Sequence, residues 1–292
     1  MKEVDGIIVI NKSKSFTSHD VVAKVRKILN IKKVGHTGTL DPNATGVLPL
    51  LIGNGTKLSK YLINHDKEYE VVLKLGIKTD TADGEGKVLE ERNVLESTFV
   101  NVEEKIKSFI GEQLQVPPMY SAIKVKGKKL YEYARNGQEV EIQPRKINIY
   151  NIEIININTK ENEISFKVEC SKGTYIRSLC EDIANALGTI GYMKELNRTK
   201  VGIFDIENSI TLQELGENIN NEEFIKDKII TMEKFFEDKE KIKLDNNRLN
   251  HFMNGVKITV DRENGTYNIY NEKKYIGIGI VEDKLLKRDI II

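Results

Sequence analysis

Apolar residues alternate at Tyr69, Val71, Leu73 and Leu75, which predicts a strand over 68–76 with those four side chains on one face. Short apolar runs at 6–10 and 47–52 read as further strands, and 146–158 with 163–170 reads as a hairpin. A helical period appears over 19–29, where Val21, Val22, Val25, Ile28 and Leu29 share one face behind a capping Ser18. Further helices are predicted over 56–63, 102–110 and 175–187. Between these elements lie a Gly-, Thr- and Pro-rich loop at 34–46, a turn at 79–86 and a basic, Gly-punctuated excursion at 120–146. The last fifty residues alternate short apolar runs with Gly and Asn turns, and read as a small all-β unit.

Composition narrows the class. With 39% hydrophobic and 30% charged residues in 292, the chain can bury a core and is not intrinsically disordered. No apolar stretch is long enough to span a bilayer. The N-terminus, Met-Lys-Glu-Val-Asp, lacks the basic-then-apolar order of a secretory signal. A cytoplasmic protein with no membrane partner is expected. Cys170 and Cys180 are too few for a disulfide framework, and no pair of His or Cys has zinc-site spacing, so no metal is expected.

Charge is balanced in total, 45 basic against 44 acidic residues, but unevenly spread. Residues 11–34 carry seven Lys or Arg against one acid, and 120–146 carry seven against three. Residues 207–240 carry ten acids against four lysines and read as a connecting arm. Two basic segments and one acidic segment fit a polyanion held on one side. The alternative is a lysine-rich surface that is merely solvated.

Asp41 is the one carboxylate in Gly35-His-Thr-Gly-Thr-Leu-Asp-Pro-Asn-Ala-Thr-Gly46. A lone carboxylate in a loop whose glycines allow close approach suits nucleophilic or general-base work. The competing reading of an Asp-Pro is simple turn initiation. The loop is not a Walker A motif, since no Gly-Lys-Ser/Thr follows. The run Asp80-Thr-Ala-Asp-Gly-Glu-Gly86 fails as a calcium loop because Ala82 stands where an oxygen ligand is needed. Arg177, opening a helix after Gly173-Thr-Tyr-Ile, could present a rigid fork to a carboxylate or phosphate, or simply be solvated.

These segments share their order and spacing with one family. Gly6-Ile-Ile-Val-Ile-Asn-Lys12, Thr17-Ser-His-Asp-Val-Val22, the loop 35–46, Lys67-Glu-Tyr69 and Thr79-Asp-Thr-Ala-Asp-Gly84 occur in succession. Pro117-Pro-Met-Tyr-Ser-Ala-Ile-Lys-Val125, Tyr131-Glu-Tyr-Ala-Arg-Asn-Gly137, Gly173-Thr-Tyr-Ile-Arg177 and Leu196-Asn-Arg198 follow. Nearly end to end, the chain resembles the bacterial tRNA pseudouridine-55 synthases, the TruB-type family. It departs where the family usually reads Asp-Lys-Pro-x-Gly, having Asn11-Lys-Ser-Lys-Ser-Phe16, and where Asn197 replaces an Arg.

The resemblance implies an α+β pseudouridine synthase fold, with a mixed, mainly antiparallel sheet flanked by helices. It implies a catalytic domain over 1–239, including the RNA-gripping excursion 120–146, and a PUA-like domain over 240–292. It implies isomerisation of uridine 55 in the tRNA T-loop without metal or cofactor, by a monomer needing no protein partner and touching the T-arm and acceptor stem. Asp41 would be the essential carboxylate and Arg177 its partner. His36 would displace bases, Tyr69 would stack on the uracil, and Tyr175 and Leu196 would line the base pocket. Lys124, Lys126, Lys128 and Lys129 would meet the RNA backbone. Two rivals are an RNA-guided relative, against which the chain lacks extended termini, and a non-catalytic RNA-binding or RNA-folding module, which would not need Asp41 and Arg177.

Overall fold

The computed structural model describes residues 5–292; Met1 to Val4, on which most of the N-terminal reading rests, lie outside them. A ten-stranded mixed sheet forms the centre. Its principal strands are β1 (Gly6–Lys12), β2 (Val34–His36), β3 (Thr45–Ile52), β4 (Lys67–Leu75), β5 (Gly111–Gln115), β6 (Arg145–Asn158), β7 (Glu163–Cys170), β8 (Gly191–Val201) and β9 (Ile229–Ile230). They run in the order β9-β1-β3-β8-β4-β7-β6-β5, with β2 beside β3. Strand pairings are antiparallel except between β8 and β3, where Asn197 faces Thr45 and Arg198 faces Gly46. The α+β, mainly antiparallel expectation therefore holds.

Tyr69, Val71, Leu73 and Leu75 are all buried, as their alternation requires. They share a core with Leu179 and Ile183 of the helix Ile176–Ala186 and with Val21 and Val25 of the helix Ser18–Leu29. On the other face of the same strands, Lys167 pairs with Glu68 at 3.0 Å and Lys194 with Glu163 at 2.6 Å.

Three local readings need correction. Thr17, not Ser18, caps the first helix: its hydroxyl accepts from the Asp20 amide at 3.1 Å, and the Asp20 carboxylate accepts from the Thr17 amide at 2.9 Å. Ser18 is buried and bonds Leu40 instead, accepting from its amide at 2.9 Å and donating to its carbonyl at 3.2 Å. The predicted helix 56–63 is a 3-10 turn, Gly53–Leu58, followed by one α-turn, Ser59–Leu62. Packing intervenes there, because Gly55 lies so close to Gly6 that a Cβ would sit 2.1 Å from the Gly6 carbonyl oxygen. The helix 102–110 stops at Lys107.

The acidic segment is not a connector. The Asn11 amide donates to Ile210 O at 2.8 Å, the Ile210 amide donates to Val9 O at 3.0 Å, and β9 extends the central sheet beside β1. Leu215 and Ile225 are core residues. Acidic side chains cover the outside of a segment whose apolar residues close the sheet edge.

The C-terminal part is a five-stranded sheet over Lys241–Lys243, Ile258–Thr259, Gly265–Asn271, Lys274–Glu282 and Leu285–Ile291. It is β-rich rather than all-β: a helix, Asn246–Met253, is capped by Asp245, whose carboxylate accepts from the Arg248 amide at 2.8 Å. Tyr270, Tyr275, Ile278 and Ile290 of this sheet share one hydrophobic cluster with Leu58, Leu62, Phe204 and Phe236. The Tyr61 hydroxyl donates to Asp289 at 2.6 Å across the same interface. Among the described residues, no helix is long and apolar enough to cross a membrane.

Candidate active site

The loop between β2 and β3 delivers Asp41 to a cavity of about 810 Å³. Two buried cations shape that loop. Lys12, fully buried at the end of β1, donates to the carbonyls of Ser13 at 3.0 Å, Phe16 at 2.7 Å and Pro42 at 2.8 Å. Burial pulls its ammonium down to about 8, against the Asp41 charge. Lys12 is thus not part of the solvated basic face that the 11–34 charge count suggests. Arg198, equally buried, donates to Val47 O at 2.8 Å, Thr39 O at 3.4 Å and Gly38 O at 3.3 Å. The parallel β8–β3 pairing puts it there. Gly46 is required at that crossing: its φ is +103°, and a Cβ would lie 2.2 Å from Arg198 O.

Asn197, in place of the family's usual Arg, accepts from the Thr45 hydroxyl at 3.1 Å. Ser15, where the resemblance leads one to expect Gly, holds φ 68°, a left-handed conformation taken without glycine.

Arg177 meets the Asp41 carboxylate with two nitrogens, Nε to Oδ2 at 3.1 Å and a terminal nitrogen to Oδ1 at 3.3 Å. The same guanidinium donates to Thr81 O at 3.2 Å and Tyr120 O at 3.0 Å, and lies 3.7 Å from Asp83 Oδ2. The turn 79–86 is therefore a turn, as read, but one that faces Arg177. Burial pushes the Asp41 carboxyl above its ordinary value; Arg177 pulls it down and Asp83 pushes it further up.

Gln115 fixes where Arg177 starts its helix. Its amide donates to Tyr175 O at 3.0 Å and its carbonyl accepts from the Tyr175 amide at 2.8 Å. Ser178, one residue beyond Arg177, donates to Val116 O at 2.8 Å. The end of β5 thus clamps the helix start.

Tyr69, Tyr175, Arg177 and Leu196 all line the cavity with Asp41. Burial pushes the Tyr69 phenol up to about 12, so the ring is neutral. His36 does not line the cavity. It sits at the end of β2 with its ring edge-on to His19, centroids 5.7 Å apart, and its Nδ1 is buried without a partner. Burial, followed by His19 and Arg198, lowers its proton affinity. Lys124, Lys126, Lys128 and Lys129 are also outside the lining. They occupy a small hairpin, Lys124–Val125 with Lys128–Lys129, while Tyr120, Ser121, Ala122 and Tyr131 of the same excursion reach the cavity.

Sequence reasoning missed Lys12, Gln115 and Asp83 as supports of the site. Only Lys12 left a trace, as a charged residue closing an apolar strand.

Two family models match. The one described as TruB family pseudouridylate synthase (N terminal domain) spans residues 26–176, and the tRNA pseudouridylate synthase B C-terminal domain spans 177–237. The tRNA pseudouridine synthase B of Clostridium tetani (strain Massachusetts / E88) is 50% identical over 285 residues, covering 94% of this chain and 95% of that protein. That of Caldanaerobacter subterraneus subsp. tengcongensis is 44% identical over 287 residues, covering 97% and 98%. A crystal structure of a Cbf5-Nop10-Gar1 complex superposes with a TM-score of 0.70 at 28% identity, covering 98% of this chain and 83% of that one. An H/ACA RNP bound to a substrate RNA containing 2′-deoxyuridine also reaches 0.70, at 25% identity, covering 98% and 85%. A family model spans more than half of the residues and relatives align almost throughout: this chain belongs to the TruB family of pseudouridylate synthases.

Proposed function

We propose that this chain converts uridine 55 in the T-loop of tRNA to pseudouridine, with Asp41 as the acting carboxylate. The observation that carries this reading is that, among the described residues, Asp41 is the one carboxylate lining a cavity otherwise furnished with cations and aromatic rings. The reaction detaches uracil from C1′, turns it and rejoins it through C5. It has no net redox change, so it calls for no electron carrier.

A stacked base must first leave its loop. Stacking on Tyr69 offsets part of that cost, about 1–3 kcal/mol. Arg177 orients the Asp41 carboxylate toward the sugar. Attack at C1′ and proton removal from C2′ to give a glycal both suit a carboxylate there. His36, beside the cavity rather than in it, is positioned for displaced neighbouring bases. Lys124, Lys126, Lys128 and Lys129 grip the backbone, and the 240–292 unit acts as a PUA-like platform for the acceptor stem.

Support for tRNA over a guided substrate comes from the relatives: those named tRNA pseudouridine synthase B reach 50% identity, the Cbf5 complex 28%. The protein works on this reading as a cytoplasmic monomer without protein partners. The test is pseudouridine mapping of unmodified tRNA incubated with the purified chain alone. Pseudouridine at position 55 supports the reading. Modification elsewhere, or a need for guide RNA or partner proteins, overturns it.

A further inference from the structure

The cavity carries more positive charge than the isomerisation uses. Six of its lining side chains are cations: Lys67, Arg145, Lys146, Lys172, Arg177 and Arg198. Arg177 is engaged by Asp41, and Arg198 by three backbone carbonyls. Among the described residues, none of the other four joins an ion pair. Lys67 donates only to the His65 carbonyl, and Lys172 to Asn64 Oδ1 at 2.6 Å.

Sheet topology gathers these four. Lys67 opens β4, Arg145 and Lys146 open β6, and Lys172 follows the end of β7. β4, β7 and β6 are consecutive antiparallel strands. Cys170, at the end of β7, faces Lys67 on one side and Ile149 on the other. Basic residues from three neighbouring strands, spaced about 4.8 Å apart, therefore arrive at one end of the sheet. Lys67 lies two residues from Tyr69 and so shares its face of β4.

Lys67 is the costly member when the row is empty: it is half-buried, while Arg145, Lys146 and Lys172 are exposed, and an ammonium that loses hydration without an anion gains no charge partner. Burial lowers the Lys67 proton affinity, and Arg198 and Lys172 lower it further. A uracil ring is neutral and offers no relief. The phosphates on either side of the flipped nucleotide offer two anions.

We propose that Lys67, Lys172, Arg145 and Lys146 form a clamp for the RNA phosphates flanking the flipped uridine, so that the strand leaves the cavity over the ends of β4, β7 and β6. This rests on the reading of the cavity as the uridine site.

The test combines a protein change with an RNA change. A T-arm stem-loop is made with an uncharged methylphosphonate at each flanking position in turn. Lys67→Gln/Lys172→Gln and Arg145→Gln/Lys146→Gln are compared with the unaltered protein for both binding and turnover. The clamp predicts that one neutral phosphate weakens binding to the unaltered protein tenfold or more and raises KM, with kcat little changed. At least one double variant should bind the ordinary stem-loop equally weakly and lose its sensitivity to that substitution, a non-additive cycle. Its salt slope should fall by about 0.7 for each single-strand phosphate left unneutralised. Lys67→Arg should restore binding, and unchanged melting temperatures should exclude misfolding. Additive effects, or unaltered binding in both double variants, overturn the clamp. If the unaltered protein binds the stem-loop but leaves its uridine unmodified, the functional reading fails, and the binding cycle still decides the clamp.

Discussion

Arg177 holds Asp41 by two nitrogens, at 3.1 and 3.3 Å, while its remaining donors reach the carbonyls of Thr81 and Tyr120. The carboxylate is therefore oriented by a guanidinium that is itself fixed from two other segments. Asp41→Asn is expected to abolish isomerisation and to leave tRNA binding near that of the unaltered protein, because size is kept and only the charge is removed. Single-turnover assays with filter binding check this. Substantial turnover by the pure variant would remove Asp41 from the mechanism.

The pH dependence follows from the raised Asp41 carboxyl. The acting form is ionised, so activity is lost as pH falls through its raised pKa, above the ordinary ~3.9. Asp83 is one of the groups that push Asp41 up, so Asp83→Asn should move the acid limb of kcat/KM to lower pH. A pH profile of the two proteins measures it. An unmoved limb would mean that another group controls the acid side.

Ser15 occupies a left-handed turn at φ 68°. Ser15→Gly removes about 1–2 kcal/mol of backbone strain and adds about 0.4–1 kcal/mol of unfolded-state entropy. A net gain of about 0.5–1 kcal/mol is expected from urea unfolding at unchanged m-value. Loss of stability would show that the Ser15 side chain contributes more than the strain costs.

The hairpin lysines Lys124, Lys126, Lys128 and Lys129 have no seat in the cavity. Their proposed role is long-range grip. Neutralising all four should weaken tRNA binding and flatten its salt dependence by about 0.9 log units for each duplex-like phosphate left unneutralised. A salt titration in which the slope is the same for both proteins would assign them to solvation.

Removal of residues beyond Glu237 strips Tyr270, Tyr275, Ile278 and Ile290 from a cluster that also holds Leu58, Leu62 and Phe236. Sequence alone suggests a catalytic part that folds unaided, since every proposed site residue precedes that point. The shared core predicts instead a truncated protein that melts several degrees lower and exposes apolar surface. Calorimetry and dye binding decide. A truncated chain that melts like the full one would make the two parts independent.

Much of the site is legible in local sequence. The alternation from Tyr69 to Leu75, the helical stripe from Val21 to Leu29 and the Gly-rich Asp41 loop are local patterns, because backbone period and turn chemistry act over a few residues. Local pattern fails where one residue has two possible partners: Ser18 could cap its own helix, yet bonds Leu40, twenty-two residues away. It fails also for the 207–240 segment, whose acidic surface hides Ile210, Leu215, Ile225 and Ile229, the residues that close the sheet edge. The sequence by itself determined which side chains could do the chemistry, since Asp41, Arg177 and Tyr69 carry that capacity in their covalent structure. Only the tertiary structure decided that Lys12 is buried beneath the loop, that Arg198 braces it through a parallel pairing, and that Gln115 sets the helix start of Arg177. Each of those is a hydrogen bond between segments 30 to 160 residues apart in sequence. Such partners are chosen by strand order and burial, because a buried donor must find an acceptor wherever the fold brings one within reach.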